Sequence, residues 1–236
     1  MQRTNDLGQP IGEPLPNHTP GQRPRRDVLT GRLCRVEPLR AECHADALFD
    51  AYAADVEGRN WTYLPYGPFE SPEAYRGFVE AKQDLDDPVF YAIVSVETQR
   101  PVGVASYLRI EPSHGAIEVG HLSYAPALQR TAASTEAMFL MMRHAFEDLG
   151  YRRYEWKCDS LNGPSRSAAL RLGFQYEGTF RQAIVMKGRS RDNAWFSILD
   201  REWPERKRAF EAWLDPANFD AQGRQRRRLE SFSAQR

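Results

Sequence analysis

A carboxylate stands where the sequence otherwise reads as a buried strand. Residues 117–124 alternate, with Glu118, Gly120, Leu122 and Tyr124 on one face and Ile117, Val119, His121 and Ser123 on the other. Burying a carboxylate is costly unless it is paired or has a task, so Glu118 is either a paired structural group or a general base. His121 is a second candidate base by its ordinary pKa, and a regular strand turns it to the opposite face. A bulge would blur that assignment. The strand is followed by Gln129-Arg130-Thr131-Ala132-Ala133-Ser134-Thr135, a turn that opens a helix. A helix start reached by a short loop gathers free N–H groups and the positive dipole end, which suits a phosphate-bearing ligand. Downstream, Asn162 and Ser165 stand three apart at the head of a second helix, and their residue types alone are explained by an N-cap. Trp61, Tyr63 and Tyr66 lie in an aromatic, proline-bearing loop, read either as a core anchor or as a pocket wall.

These residues need elements to hold them. A helix over 134–149 places Met138, Met141, Met142, Ala145 and Leu149 on one stripe, the signature of core packing. A second strand is expected at 154–159 and a helix opening at Asn162-Gly163-Pro164-Ser165. Earlier come a strand at 28–37, a helix at 38–54, and a helix begun by Ser71-Pro72-Glu73. Strands at 88–96 and 102–110 read as a hairpin. Later come strands at 174–176, 179–187 and 194–199 and a helix at 201–214.

The pieces Glu118-Val119-Gly120, Gln129-Arg130-Thr131-Ala132-Ala133-Ser134-Thr135-Glu136-Ala137, Asn162-Gly163-Pro164-Ser165-Arg166 and Arg171-Leu172-Gly173-Phe174 together resemble the GNAT superfamily of acetyl-CoA-dependent N-acetyltransferases. The likeness is greatest to the RimJ/RimL branch and spans residues 28–200. It implies an α/β domain of α+β type, with a central mixed, mostly antiparallel sheet and helices on both faces. It implies that the strands at 117–124 and 153–159 splay to admit the pantetheine arm of acetyl-CoA, with Leu122, Ser123 and Tyr124 along that arm. A backbone N–H near Leu122 or Ser123 would polarise the acetyl carbonyl. Residues 129–135 would take the pyrophosphate, and Asn162 and Ser165 would contact the coenzyme. Glu118 matches the position of the family's general base, and Ser165 that of a donor to the leaving thiolate. Trp61, Tyr63 and Tyr66 would border the amine acceptor. The family's phosphate loop carries small residues, often glycine, where Ala132 and Ser134 stand here. Both tolerate positive φ poorly, which motivates the alternative of a degenerate fold that binds acyl-CoA or a protein without catalysis.

Composition bounds the rest. The chain of 236 residues has 41% hydrophobic and 27% charged residues and no formal net charge, as expected of a soluble globular protein without a field for nucleic acid or acidic membrane. No run approaches the ~20 apolar residues of a membrane helix. Cys34, Cys43 and Cys158 have neither disulfide nor zinc spacing and suit a reducing cytoplasm; no metal is expected. Residues 1–27 read as a flexible arm, 28–214 as the acetyltransferase domain, and 215–236 as a charged, solvated tail. The tail's Arg224, Arg226, Arg227 and Arg228 lack the aromatic interleaving of a single-strand binder, so a nucleic-acid partner is disfavoured. The acceptor is a small-molecule amine or a protein N-terminus, and the reading allows a homodimer.

Overall fold

The structure, a computed structural model, describes residues 3–232. Eight strands form one sheet in the order β1-β2-β3-β4-β5-β6-β8-β7. They are β1 (Leu29–Thr30), β2 (Cys34–Pro38), β3 (Val89–Ser95), β4 (Pro101–Glu111), β5 (Ala116–Tyr124), β6 (Arg153–Asp159), β7 (Gln175–Met186) and β8 (Arg189–Leu199). Only β5 and β6 run parallel. The expected mixed, mostly antiparallel sheet is therefore present.

Alternation explains the layers. In β3, Val89, Tyr91 and Ile93 enter one apolar cluster and Phe90, Ala92 and Val94 the other. The first cluster lies under α3 (Ala132–Arg143) and α5 (Trp203–Leu214), and takes Ala169 from α4 (Gly163–Arg171). The second lies under α1 (Asp46–Tyr52) and α2 (Pro72–Glu80). Ser71 caps α2, its Oγ accepting from Ala74 N at 3.2 Å, with Pro72 in the first turn. The methionine stripe of α3 is buried, and the helix runs on through a wider π turn, His144–Asp148.

Some expected elements change shape. The single strand at 28–37 is two, parted by a turn at residues 31–33. The Glu136 carboxylate of α3 accepts the backbone N–H groups of Arg32, Leu33 and Cys34 at 3.0, 2.6 and 2.9 Å, which draws the turn inward. A long-range contact of this kind leaves no local periodicity. Conversely, the two short strands around Gly178 are one strand, β7, which absorbs the break as a register shift at Tyr176/Gly178.

Residues 18–26 and 216–229 pack on the domain. Gly21 N donates to Pro112 O at 3.0 Å and Gln22 N to Leu149 O at 2.8 Å. The His18 ring donates from Nε2 to Ser113 O at 2.8 Å, and Arg26 Nη2 to Leu85 O at 2.7 Å. The expected solvated tail is instead folded over much of its length: Asn218 and Leu229 are buried. Asn218 ties the segment, donating to Trp213 O at 2.9 Å and accepting from Arg227 N at 3.0 Å. Cys34 and Cys158 are buried and Cys43 is exposed. Among the described residues, no helix is long and apolar enough to cross a membrane.

Candidate active site

β5 and β6 pair only from Ala116↔Arg153 to Val119↔Trp156. Beyond that point residues 120–124 and 157–159 diverge, and a gap opens in the middle of the sheet. The cause lies in β5. Val104 pairs with Ser123 and Ser106 with Gly120, so three steps on β5 match two on β4. The extra residue is a bulge, with His121 at φ 52°, and a bulge bends its strand. Backbone groups of residues 120–124 on the far side from β4 therefore line the gap.

β5 leads directly to the open end of α3. Leu128 is buried, and Gln129 Nε2 donates to Tyr124 O at 2.8 Å. Thr131 caps the helix, its Oγ1 accepting from Ser134 N at 3.2 Å, while Ser134 Oγ donates to Thr131 O at 2.8 Å. The N–H groups of Ala132 and Ala133 point out of the helix end. Thr135 Oγ1 accepts from Arg171 Nη2 at 2.9 Å, joining the end of α4 to the start of α3. The left-handed residue of the loop is Arg130, at φ 60°. Ala132 and Ser134 are helical, so neither needs glycine's freedom, and the motive for a degenerate loop disappears.

At the point where the gap opens stands Trp156, whose Nε1 donates to Ser165 Oγ at 3.0 Å. Asn162 caps α4, its Oδ1 accepting from Ser165 N at 3.1 Å. Asn162 is thus a cap, and Ser165 Oγ, which accepts from Trp156 and lies beside the Cys158 thiol, has a proton to donate.

The other face holds the carboxylate. Glu118 is buried, with Oε1 accepting from Arg109 Nη1 at 2.7 Å and Oε2 2.9 Å from Lys157 Nζ. The lysine forms an ion pair with Oε2, which has no other partner among the described residues. Lys157 also pairs with Glu155 at 2.8 Å and lies 3.7 Å over the Trp195 ring. Burial pushes the Glu118 carboxyl above its usual range, against the pull of Lys157 and Arg109. His121 stacks on Tyr66 at 5.6 Å and meets Phe90 at 4.9 Å. Phe90 belongs to the α1/α2 face, so the bulge overturns the period-two reading and brings His121 to the side of Glu118. Burial, with Lys82 and Arg109 nearby, lowers His121 to about 4, and its Nδ1 is buried without a partner among the described residues. Glu118 and His121 thus share one face, while Ser165 stands on the other, beside the same gap.

The aromatic loop closes the α1/α2 face. Trp61 is buried among Tyr52, Tyr66 and Phe69 and anchors the loop. Tyr66 OH is buried with no partner among the described residues, and Tyr63 OH donates to Leu161 O at 3.3 Å. The tip of the β7–β8 hairpin reaches over: Lys187 Nζ donates to Trp61 O at 2.9 Å, Tyr66 O at 3.2 Å and Gly67 O at 2.7 Å. Arg191 Nη1 reaches Tyr63 O at 3.4 Å. Asn60 Nδ2 donates to Ser123 Oγ at 2.7 Å and Tyr52 OH to Ser123 O at 2.9 Å, fixing the strand beside the gap. Sequence reasoning missed Arg109, Lys157, Lys187 and Arg191. Lys157 left a signal, since it alternates with Trp156 and Cys158 on the strand next to a buried carboxylate. Lys187 left none. Among the described residues no group of three or more His, Cys, Asp or Glu side chains is placed to hold a metal ion.

A family model described as an acetyltransferase (GNAT) domain matches residues 34–175. The chain belongs to the GNAT acetyltransferase family. A solved GCN5-related N-acetyltransferase from Brucella melitensis is 44% identical, covers 92% of this chain and 99% of its own, and superposes with a TM-score of 0.91. The N-acetyltransferase p20 of Bacillus licheniformis is 28% identical over 64% of this GNAT chain and 89% of its own. A ribosomal-protein-serine acetyltransferase of Escherichia coli is 30% identical over 43% of this chain and 56% of its own. The relatives thus include the branch that the sequence motifs resemble.

Proposed function

We propose that this GNAT protein transfers an acetyl group from acetyl-CoA to a primary amine by direct attack within a ternary complex. The observation that carries this reading is the gap between β5 and β6, which ends beside the open N-terminus of α3. An extended thiol ester with phosphates at its far end matches that shape: a narrow arm in the gap, and charge at the helix end. Acetyl-CoA supplies an activated acyl group.

The chain's own residues divide the remaining work. Residues 129–135 hold the pyrophosphate, with Arg130 adding charge. Residues 122–124 lie along the arm, and a backbone N–H of Leu122 or Ser123 polarises the acetyl carbonyl. Ser165, oriented by Trp156, donates a hydrogen bond to the departing sulfur. Glu118 accepts the amine proton, because desolvation strengthens it as a base and Oε2 retains accepting capacity. His121, neutral near pH 7, is the alternative base should Glu118 prove structural. Tyr63 and Tyr66, on a loop pinned by Trp61, border the acceptor. The acceptor is a small amine or a protein N-terminus; the name of the Escherichia coli relative puts a serine-bearing ribosomal-protein peptide on the test panel. The free thiols and the soluble donor suit the reducing cytoplasm that this reading takes as its compartment.

Two measurements test this. Calorimetry should show acetyl-CoA binding, and thiol release on a panel of amino acids, polyamines and peptides should identify an acceptor. Absence of both heat and thermal shift at millimolar acetyl-CoA overturns the reading.

A further inference from the structure

The family match ends at Phe174-Gln175, yet the chain continues through β8, α5 and a docked segment of basic character. α5 runs antiparallel to α3. At its start Trp203 stacks on Phe146 at 5.1 Å, and further on Phe210 stacks on Phe139 at 5.4 Å. At its end Leu214 O accepts from Arg32 Nη2 at 2.9 Å, and Arg32 N donates to Glu136. The chain therefore leaves α5 beside the first turns of α3, at the end where the phosphate loop lies. There it closes on itself. Arg226 N donates to Asn218 O at 2.6 Å, Trp213 Nε1 to Gln225 Oε1 at 2.8 Å, and Leu229 inserts into the main core. Glu230 lies in the field of the half-buried Arg171, which bonds Thr135 in α3.

The arginines of this segment are not equivalent. Arg224 is taken up by Asp220 at 2.8 Å. Arg227 lies over the Phe232 ring at 4.1 Å and donates to Ser231 O at 2.9 Å. Arg226 and Arg228 make no side-chain hydrogen bond or ion pair at bonding distance among the described residues, although their backbones are fixed. Two guanidiniums without a hydrogen-bonded partner among the described residues, Arg226 in the field of Asp220, are thus held on a docked loop near the start of α3, in a protein with no net charge. A guanidinium fork matches a phosphate better than any other side chain does. The pyrophosphate is already provided for by residues 129–135, and the phosphate still without a counter-charge is the one on the ribose.

We propose that the C-terminal segment 216–232 completes the coenzyme site, with Arg226 and Arg228 binding the 3′-phosphate of coenzyme A. This rests on the acetyl-CoA reading above. The test compares two ligands on the full chain by calorimetry: coenzyme A and 3′-dephospho-coenzyme A. The wild type should bind coenzyme A at least ten times more tightly. The double variant Arg226→Gln, Arg228→Gln should lose that preference while its affinity for the dephospho form stays within twofold, and Arg228→Lys should keep part of it. Equal affinity of the wild type for both ligands overturns the proposal and leaves the acetyl-CoA reading standing. Equal weakening of both ligands by the double variant also overturns it, because the segment then acts through folding. No binding of either ligand removes the acetyl-CoA reading and this proposal together.

Discussion

Glu118 and Ser165 are separated by the sheet and joined by the gap, which makes their substitutions informative as a pair. Glu118→Gln is expected to lower turnover by ~10²–10⁴-fold, most at low pH, where the acceptor amine is protonated and a base is most needed. Ser165→Ala should cost less, because a thiolate leaves without full protonation. Steady-state rates across pH, normalised to folded protein, check both. A large fall in melting temperature with unchanged turnover per folded molecule would make Glu118 a structural partner of Lys157 and Arg109. His121 carries a separate expectation. Its pKa is near 6.5 when unfolded and about 4 when folded, so the unfolded chain takes up a proton first as pH falls. Stability should be full above pH 6.5 and decline down to pH 4, by roughly 3 kcal/mol from this group. Denaturant unfolding of His121→Gln should show a shallower slope over that window. The sequence revealed Glu118 because a charge interrupted an apolar alternation. It misplaced His121 because nothing in Gly120-His121-Leu122 says which residue is the extra one.

At the scale of elements, the acceptor side is closed by a tether between distant parts of the chain. Lys187, at the tip of the β7–β8 hairpin, bonds three carbonyls of the loop containing Trp61, Tyr66 and Gly67. Lys187→Ala should free that loop. The acceptor KM is expected to rise about tenfold, the equivalent of one charged hydrogen bond, with the acetyl-CoA KM unchanged. Equal changes in both constants would place the hairpin's influence on the whole domain. Alternation showed strands at 179–187 and 194–199, but not that the second begins already at Arg189 and closes a tight hairpin. The hairpin's reach over the loop was not legible either, because contact across more than a hundred residues has no local pattern. The same limit hid the Glu136 turn and split the first strand, whereas the Ser71-Pro72 and Asn162 caps were readable, being bonds within three residues.

At the scale of the whole molecule, the domain is flanked by two segments, 18–26 and 216–229, that are fastened to it. Residues 18–26 are bonded at several points, while Thr4↔Pro10 is a bridge within the arm itself. Removing residues 1–17 should leave the melting temperature almost unchanged. Removing 1–27 should lower it by roughly 4–8 °C, the shift that about 2 kcal/mol produces in a chain of this size. Equal melting of the two truncations, followed by calorimetry, would show the strap to be idle. Composition showed the arm and tail to be poor in apolar residues, but could not show that Asn218 and Leu229 find partners elsewhere. The cysteine distribution has a practical consequence for the bench. Burial pushes the thiols of Cys34 and Cys158 up, which leaves them slow toward disulfide reagents, whereas Cys43 is open to solvent. A chromogenic disulfide used to follow released coenzyme will therefore also record one fast equivalent of protein thiol per chain, an apparent burst that precedes turnover, and Cys43→Ser supplies the silent background.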